Sequence, residues 1–183
     1  LQLPFNPVYT SINERNLISD ATTDNLKHIT AAGVNNFVDG KMNLNVSSLP
    51  DSALIRITHH YTYADRKSPN PNLHVSSERY WVVDGIIPAG FSATATFNIN
   101  GQNSMSGGYL DNKLFQTSFT TNREDSLVLF YRKSASQHWQ IDTAATLNTL
   151  GNHNDLRASF STTFKKGQFT IGIWDHSKAD TII

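Results

Sequence analysis

The 183-residue chain contains no cysteine. A disulfide framework and a thiolate metal site are therefore both excluded. Their absence leaves the compartment open, since a secreted, an envelope and a cytosolic protein can all lack cysteine. An excess of charge is missing too: Lys plus Arg number 15 and Asp plus Glu number 15. A nucleic-acid partner calls for a basic stripe to neutralise phosphates. The densest basic clusters here are only the pairs Arg66-Lys67, Arg132-Lys133 and Lys165-Lys166, so no nucleic acid is expected as a partner. No apolar run approaches the roughly 20 residues that span a bilayer as a helix, and no transmembrane segment is expected. Leu1-Gln2-Leu3-Pro4 lacks the charged and apolar regions of a signal peptide, and no Met opens the chain. Both facts fit a piece of a larger protein, any targeting signal of which would lie upstream. Length is not lacking: at this size a folded chain hides roughly 70% of its unfolded surface.

What is present is alternation. Phe91, Ala93, Ala95, Phe97 and Ile99 alternate with Ser92, Thr94, Thr96 and Asn98. Ile55, Ile57, His59, Tyr61 and Tyr63 alternate with Leu54, Arg56, Thr58, His60 and Thr62. Period 2 is the mark of a strand with one buried and one wet face. Shorter runs at 41–47, 79–84, 138–141, 157–164 and 168–174 follow the same logic, and 126–132 reads as buried on both faces. Turn chemistry separates them at 48–52, Pro88-Ala89-Gly90 and Asn100-Gly101. Lys165-Lys166-Gly167 predicts a hairpin between the last two strands. These segments predict an all-β, antiparallel two-sheet β-sandwich of about nine strands over 39–183. Residues 1–38 read as a less regular N-terminal segment packing on it. Within that segment Thr23 to Ala32 fits either a helical turn or two, or a strand. The Gly/Ser-rich stretch 102–112 is the best internal loop boundary.

Motifs that carry chemistry do not assemble. His59 and His60 are adjacent on a strand, so their side chains point to opposite faces and do not converge on one ion. No His-Glu-x-x-His spacing occurs, and His74, His138, His153 and His176 read as loop or strand-end residues. Ser106-Gly107-Gly108, with Ser104 where a leading Gly belongs, does not make a nucleophile elbow. Gly107-Gly108-Tyr109 does not continue as a phosphate loop. A carboxylate pair for glycoside hydrolysis could be proposed from Glu78 and Asp84, and a wet strand end explains both equally. The sequence thus predicts no catalytic residue, no metal and no cofactor. Aromatics are the remaining signal. Tyr80, Trp81, Trp139 and Trp174 would suit a sugar-stacking platform or, more commonly, a core. Trp174 breaks the Phe169-Ile171-Ile173 face and is the best aromatic for an interface. Tyr80, Trp81 and Trp174 are therefore the candidate contact residues.

Three segments, Asp51 to His60, Leu73 to Gly85 and Pro88 to Phe97, carry a resemblance. Gly108-Tyr109-Leu110-Asp111, Glu124 to Arg132 and Gly167 to Ile173 continue it. In that order they resemble the β-rich region after the catalytic part of secreted bacterial zinc aminopeptidases of the membrane-alanyl-aminopeptidase (gluzincin) family. The likeness covers most of 40–175 and is strongest at His-His-Tyr, Arg-Tyr-Trp and Asp-Gly. That family's catalysis uses a His-Glu-x-x-His zinc motif and a Gly-x-Met-Glu-Asn motif, and neither occurs here. The resemblance thus implies a non-catalytic accessory domain, with the zinc held elsewhere in the parent. It also implies a secreted, periplasmic or cell-surface location, the catalytic portion of the same chain as partner, and contact with the cell envelope. The alternative expectation is a β-sandwich module that binds a glycan or another surface ligand.

Overall fold

A computed structural model describes residues 21–65, 71–102, 110–115, 124–149 and 155–175. Two antiparallel sheets dominate it. The first has seven strands. β1 (Thr22–Ile29), β4 (Ala53–His60), β6 (Tyr80–Ile86), β12 (Gly167–Trp174), β8 (Leu127–Arg132) and β9 (Gln140–Ile141) follow one another in space, and β5 (Leu73–Val75) pairs beyond β6 along β12. The second sheet has five strands in the order β10 (Thr146–Asn148), β11 (Arg157–Thr163), β7 (Ser92–Asn100), β3 (Met42–Ser48) and β2 (Gly33–Phe37). Among the described residues there is one short helix, α1 (Asn112–Phe115). The expected all-β sandwich is what the chain forms, with short strands added to the longer ones foreseen.

The alternation sets the layers. In β4 the residues Ala53, Ile55, Ile57 and His59 are buried while their neighbours are half-exposed. In β7 the buried set is Ala93, Ala95, Phe97 and Ile99. Between the sheets Trp81 meets Phe97 edge-on with ring centroids 5.1 Å apart, and Phe97 meets Phe169 at 4.8 Å. Leu44, Ile55, Ile57 and Ile171 are fully enclosed beside them. Phe91, ahead of β7, is only partly buried and packs on the rim of this core. At Gly85 the β4 backbone comes so close that a Cβ would lie 2.1 Å from the Leu54 carbonyl oxygen. The residue also has φ +149°, so only glycine fits there.

The structure corrects three readings. Residues 22–37, expected to be less regular, form β1 and β2, which edge different sheets. Thr23 to Ile29 is therefore strand rather than helix: pairing with β4 supplies its hydrogen bonds, and β4 was the better-patterned partner. Lys165 to Gly167 is not a hairpin. β11 pairs with β7 and β10, while β12 pairs with β6, β8 and β5. The turn carries the chain from one sheet to the other, and the sequence signal of a tight turn is the same in both cases. The third concerns β4, which ends at His60, so Tyr61 and Tyr63 do not extend its face. Of the loop boundary at 102–112, residues 103–109 lie outside the described set.

The outer face of the five-stranded sheet has rows that cross the strands. Register aligns Asn36, Asn43, Thr96, Ser161 and Thr146. A second row holds Val34, Asn45, Thr94 and Thr163, and a third Asn98, Ser159 and Asn148.

Candidate functional site

The outer face of the seven-stranded sheet gathers the candidate aromatics. Register sets His60 opposite Tyr80, Thr58 opposite Val82 and Arg56 opposite Asp84. The His60 and Tyr80 rings stack with centroids 4.3 Å apart and planes 3° from parallel. Tyr80 is half-buried. Burial pushes its phenol above the ordinary range, while the charge on Arg132 opposes the rise. Both side chains lie on the wet face because β4 and β6 alternate in phase: the odd positions of each turn into the core.

Next to this stack the same face carries an apolar cluster outside the sandwich. Ala64, Leu73, Phe130 and Trp139 are buried there, with Val75, Tyr80, Val128 and Trp174 packed around them. Gly172 makes room for it. A Cβ at that position would lie 2.3 Å from the Phe130 ring and 2.5 Å from the His74 carbonyl oxygen. Trp139 donates its indole N–H to the Asp65 carbonyl at 2.9 Å. The Arg132 guanidinium lies 4.1 Å from the Trp139 ring centroid. It also donates from Nε to Gln168 Oε1 at 2.8 Å and pairs with the Asp65 carboxylate at 2.6 Å. One arginine thus ties the strand face, the 61–65 segment and the indole together. A stacked cation of this kind contributes on the order of 0.5–2 kcal/mol as water is excluded.

Each candidate residue can now be placed. Tyr80 and Trp174 share this face, and both are half-buried. Trp174 sits opposite Leu73 rather than standing free. Trp81 does not join them. It is fully buried between the sheets and donates its indole N–H to the Gly40 carbonyl at 2.6 Å. It follows Tyr80 directly, so strand alternation sends it inward; a contact role for Trp81 is withdrawn. Trp139 is equally buried. No row of exposed, parallel indoles exists among the described residues.

His59 turns inward as expected, and its burial is complete. Its ring stacks on Trp81 at 5.2 Å and 12° and contacts Tyr61 at 4.4 Å. Nδ1 lies 3.3 Å from the Asp39 carbonyl oxygen, and Nε2 has no hydrogen-bond partner among the described residues. Burial above all, then the charge on Arg79, lowers its pKa to about 3. The imidazole is therefore neutral at physiological pH.

The ionic groups are engaged in pairs. Arg79 and Asp111, each 1% exposed, form a two-pronged pair: Nε to Oδ1 at 2.8 Å and Nη2 to Oδ2 at 2.6 Å. The Asn100 amide donates to the same carboxylate at 2.8 Å. Burial raises the Asp111 carboxyl above its ordinary value, against the pull of Arg79 and that amide. Glu78 accepts a hydrogen bond from Lys113 at 2.9 Å, which lowers its pKa. It precedes β6, whereas Asp84 lies near the strand's other end, 3.5 Å from the Lys166 ammonium. The two carboxylates do not face a shared site. Val82, Gln168, Asp84, Lys133, Ser134 and Lys166 line an open groove of about 390 Å³. Among the described residues no three His, Asp or Glu side chains come together as a metal site, and no helix is long and apolar enough to cross a membrane. Ser104, Ser106, Gly107, Gly108, His153 and His176 lie outside the described residues.

Arg132, Phe130 and Asp65 were not foreseen as members of this face. The signal was present in Leu127 to Tyr131, a strand apolar on both sides. That pattern requires a second cover, and the 61–65 and 133–139 segments supply it. Comparison with protein-family models, with curated proteins and with solved structures found no match.

Proposed function

We propose that this β-sandwich is a non-catalytic structural and interaction domain of a larger, secreted zinc aminopeptidase-like protein. Its partner is the catalytic portion of the same parent, and the docking surface is the outer face of the seven-stranded sheet. The observation that carries the reading is the apolar cluster outside the sandwich, with Tyr80, Trp174, Val75 and Val128 at its partly exposed rim. A sandwich already buries its core between the sheets. A second cluster on an outer face, rich in aromatics and with Arg132 at its centre, has the composition of an interface core. The alternative of an aromatic sugar platform loses support because Trp81 and Trp139 are both buried.

The resemblance in the sequence supplies the parent's class, and the location follows from it: outside the cytoplasm, at or near the cell envelope. An interface within one chain hides on the order of 600–1,500 Å² and is moderately polar. The test is to express the parent with and without this region. Faster thermal inactivation or mislocalisation of the shortened enzyme is expected. Full activity, stability and localisation without the domain would contradict the partnership.

A further inference from the structure

Three steps in the chain place an aspartyl or asparaginyl residue before glycine: Asp39-Gly40, Asp84-Gly85 and Asn100-Gly101. At such a step the glycine nitrogen can attack the side-chain carbonyl carbon and close a five-membered imide, because the following residue has no Cβ to obstruct it. The fold treats the three differently. At Asn100-Gly101 both reacting groups are engaged elsewhere. The Gly101 amide donates to the Leu156 carbonyl at 2.8 Å, and Asn100 Oδ1 accepts from the Gln102 amide at 3.0 Å. The Phe115 ring packs on Gly101, where a Cβ would lie 2.2 Å from it. At Asp39-Gly40 both carbonyls are fastened. That of Asp39 accepts from Thr23 Oγ1 at 2.9 Å, and that of Gly40 from the Trp81 indole at 2.6 Å.

Asp84-Gly85 is the exposed step, with the Asp84 side chain 62% accessible. Among the described residues β12 covers β6 only from Trp81 to Val83. Past Val83 the Gly85 N–H turns to Asp84's own Oδ1 at 2.7 Å, and the Gly85 carbonyl accepts from the Lys166 ammonium at 3.1 Å. Oδ1 is bonded to Cγ, so the electrophilic carbon is held beside the nucleophilic nitrogen. The β4–β6 ladder ends one pair later, at Leu54 and Ile86, and ladder ends open most readily.

We propose that Asp84-Gly85 is a site of spontaneous backbone isomerisation, the one of the three that the fold favours. From the neutral carboxyl, the Gly85 nitrogen forms a bond to Asp84 Cγ. The Cγ–OH bond breaks, and the hydroxyl leaves as water with the amide proton. Water then opens the imide at either carbonyl. One opening restores Asp84. The other gives isoaspartate, whose backbone runs through Cγ and is longer by one carbon. No oxidant or other reagent enters. The added carbon falls between the pairs Arg56–Asp84 and Ile55–Gly85, so Gly85 and Ile86 lose their register with β4.

The test is prolonged incubation of the folded 183-residue chain at neutral and at mildly acidic pH. Peptide mapping with electron-transfer fragmentation then locates the displaced backbone carbon, and a parallel sample is held unfolded in guanidinium. In the folded chain the converted fraction at Asp84 is expected to exceed that at Asp39 and at Asn100 by roughly tenfold. In guanidinium Asn100 is expected to lead, because ammonia departs more readily than water. Asp84→Glu, whose ring would have six members, is expected to keep the circular dichroism of the parent sequence and to form no isomer at that position. Conversion at Asp84 no greater than at either other step in the folded chain would overturn the proposal. So would the same ranking in folded and unfolded samples, or an isomeric peptide that persists in Asp84→Glu.

Discussion

His59 is buried where a positive charge on its ring is disfavoured. Its folded pKa of about 3 lies below the ordinary value of 6.5. Between these values the unfolded chain binds a proton that the folded chain does not. The stability His59 contributes is therefore complete above pH 6.5 and is lost as pH falls toward 3, with a slope of up to about 1.4 kcal/mol per pH unit. Denaturant titrations at several pH values between 7 and 4 are expected to show this slope in the parent sequence and a shallower one in His59→Gln. Identical slopes would mean that His59 takes up its proton without leaving the core. Phe97, enclosed between Trp81 and Phe169, gives a second residue-scale test. Phe97→Ala is expected to cost roughly 3–5 kcal/mol through lost transfer energy and a residual cavity, read by urea unfolding. A loss below about 1 kcal/mol would show that the site collapses or that the ring is not central.

At the scale of elements, the pair Arg79–Asp111 fastens the segment at 110–115 to the rim of both sheets. Arg79 reaches the Asn98 carbonyl as well as Asp111, and Thr170 donates to the Arg79 carbonyl. Removing one partner leaves a buried charge without compensation, so Arg79→Met is expected to cost about 3–5 kcal/mol. Arg79→Met/Asp111→Leu is expected to recover much of that loss, because two apolar groups replace two buried charges. A double variant as unstable as the single would show that the pair matters for shape rather than for charge. Gly172→Ala tests the outer cluster. Phe130 has to move, which is expected to cost about 1–3 kcal/mol and to change the fluorescence of Trp139 or Trp174. The strands themselves were legible because period-2 alternation survives in any sheet with one buried face: β4, β7 and β3 follow it residue by residue. Their partners were not. A turn such as Lys165 to Gly167 serves a hairpin or a change of sheet equally well, and only the second sheet's own pairing decides. β1 was ambiguous for a related reason. Its inward positions include Asn25 and Lys27, opposite Ile57 and Ile55, so an edge strand with a polar inner side has no clean alternation to read. For the candidate contacts, alternation set Trp81 on the face opposite Tyr80 and Trp174 on the face opposite Phe169, Ile171 and Ile173; that Trp81's face is the core one shows in its register with Phe169.

The described residues form a sandwich with two unlike outer surfaces, one aromatic and ionic, the other mostly Asn, Ser and Thr. A domain of this design has its own core and is expected to fold alone, with the aromatic face exposed when the partner is absent. Exposed apolar surface of that kind marks an interaction site. The central claim is that this face docks on the catalytic portion of the same parent. It is tested most directly by adding that portion in trans to the isolated chain and following amide hydrogen exchange. Slowed exchange at 58–60, 80–82 and 172–174 is predicted, together with its loss in Tyr80→Arg. Unchanged exchange across the seven-stranded sheet, or protection confined to the five-stranded sheet, would contradict it.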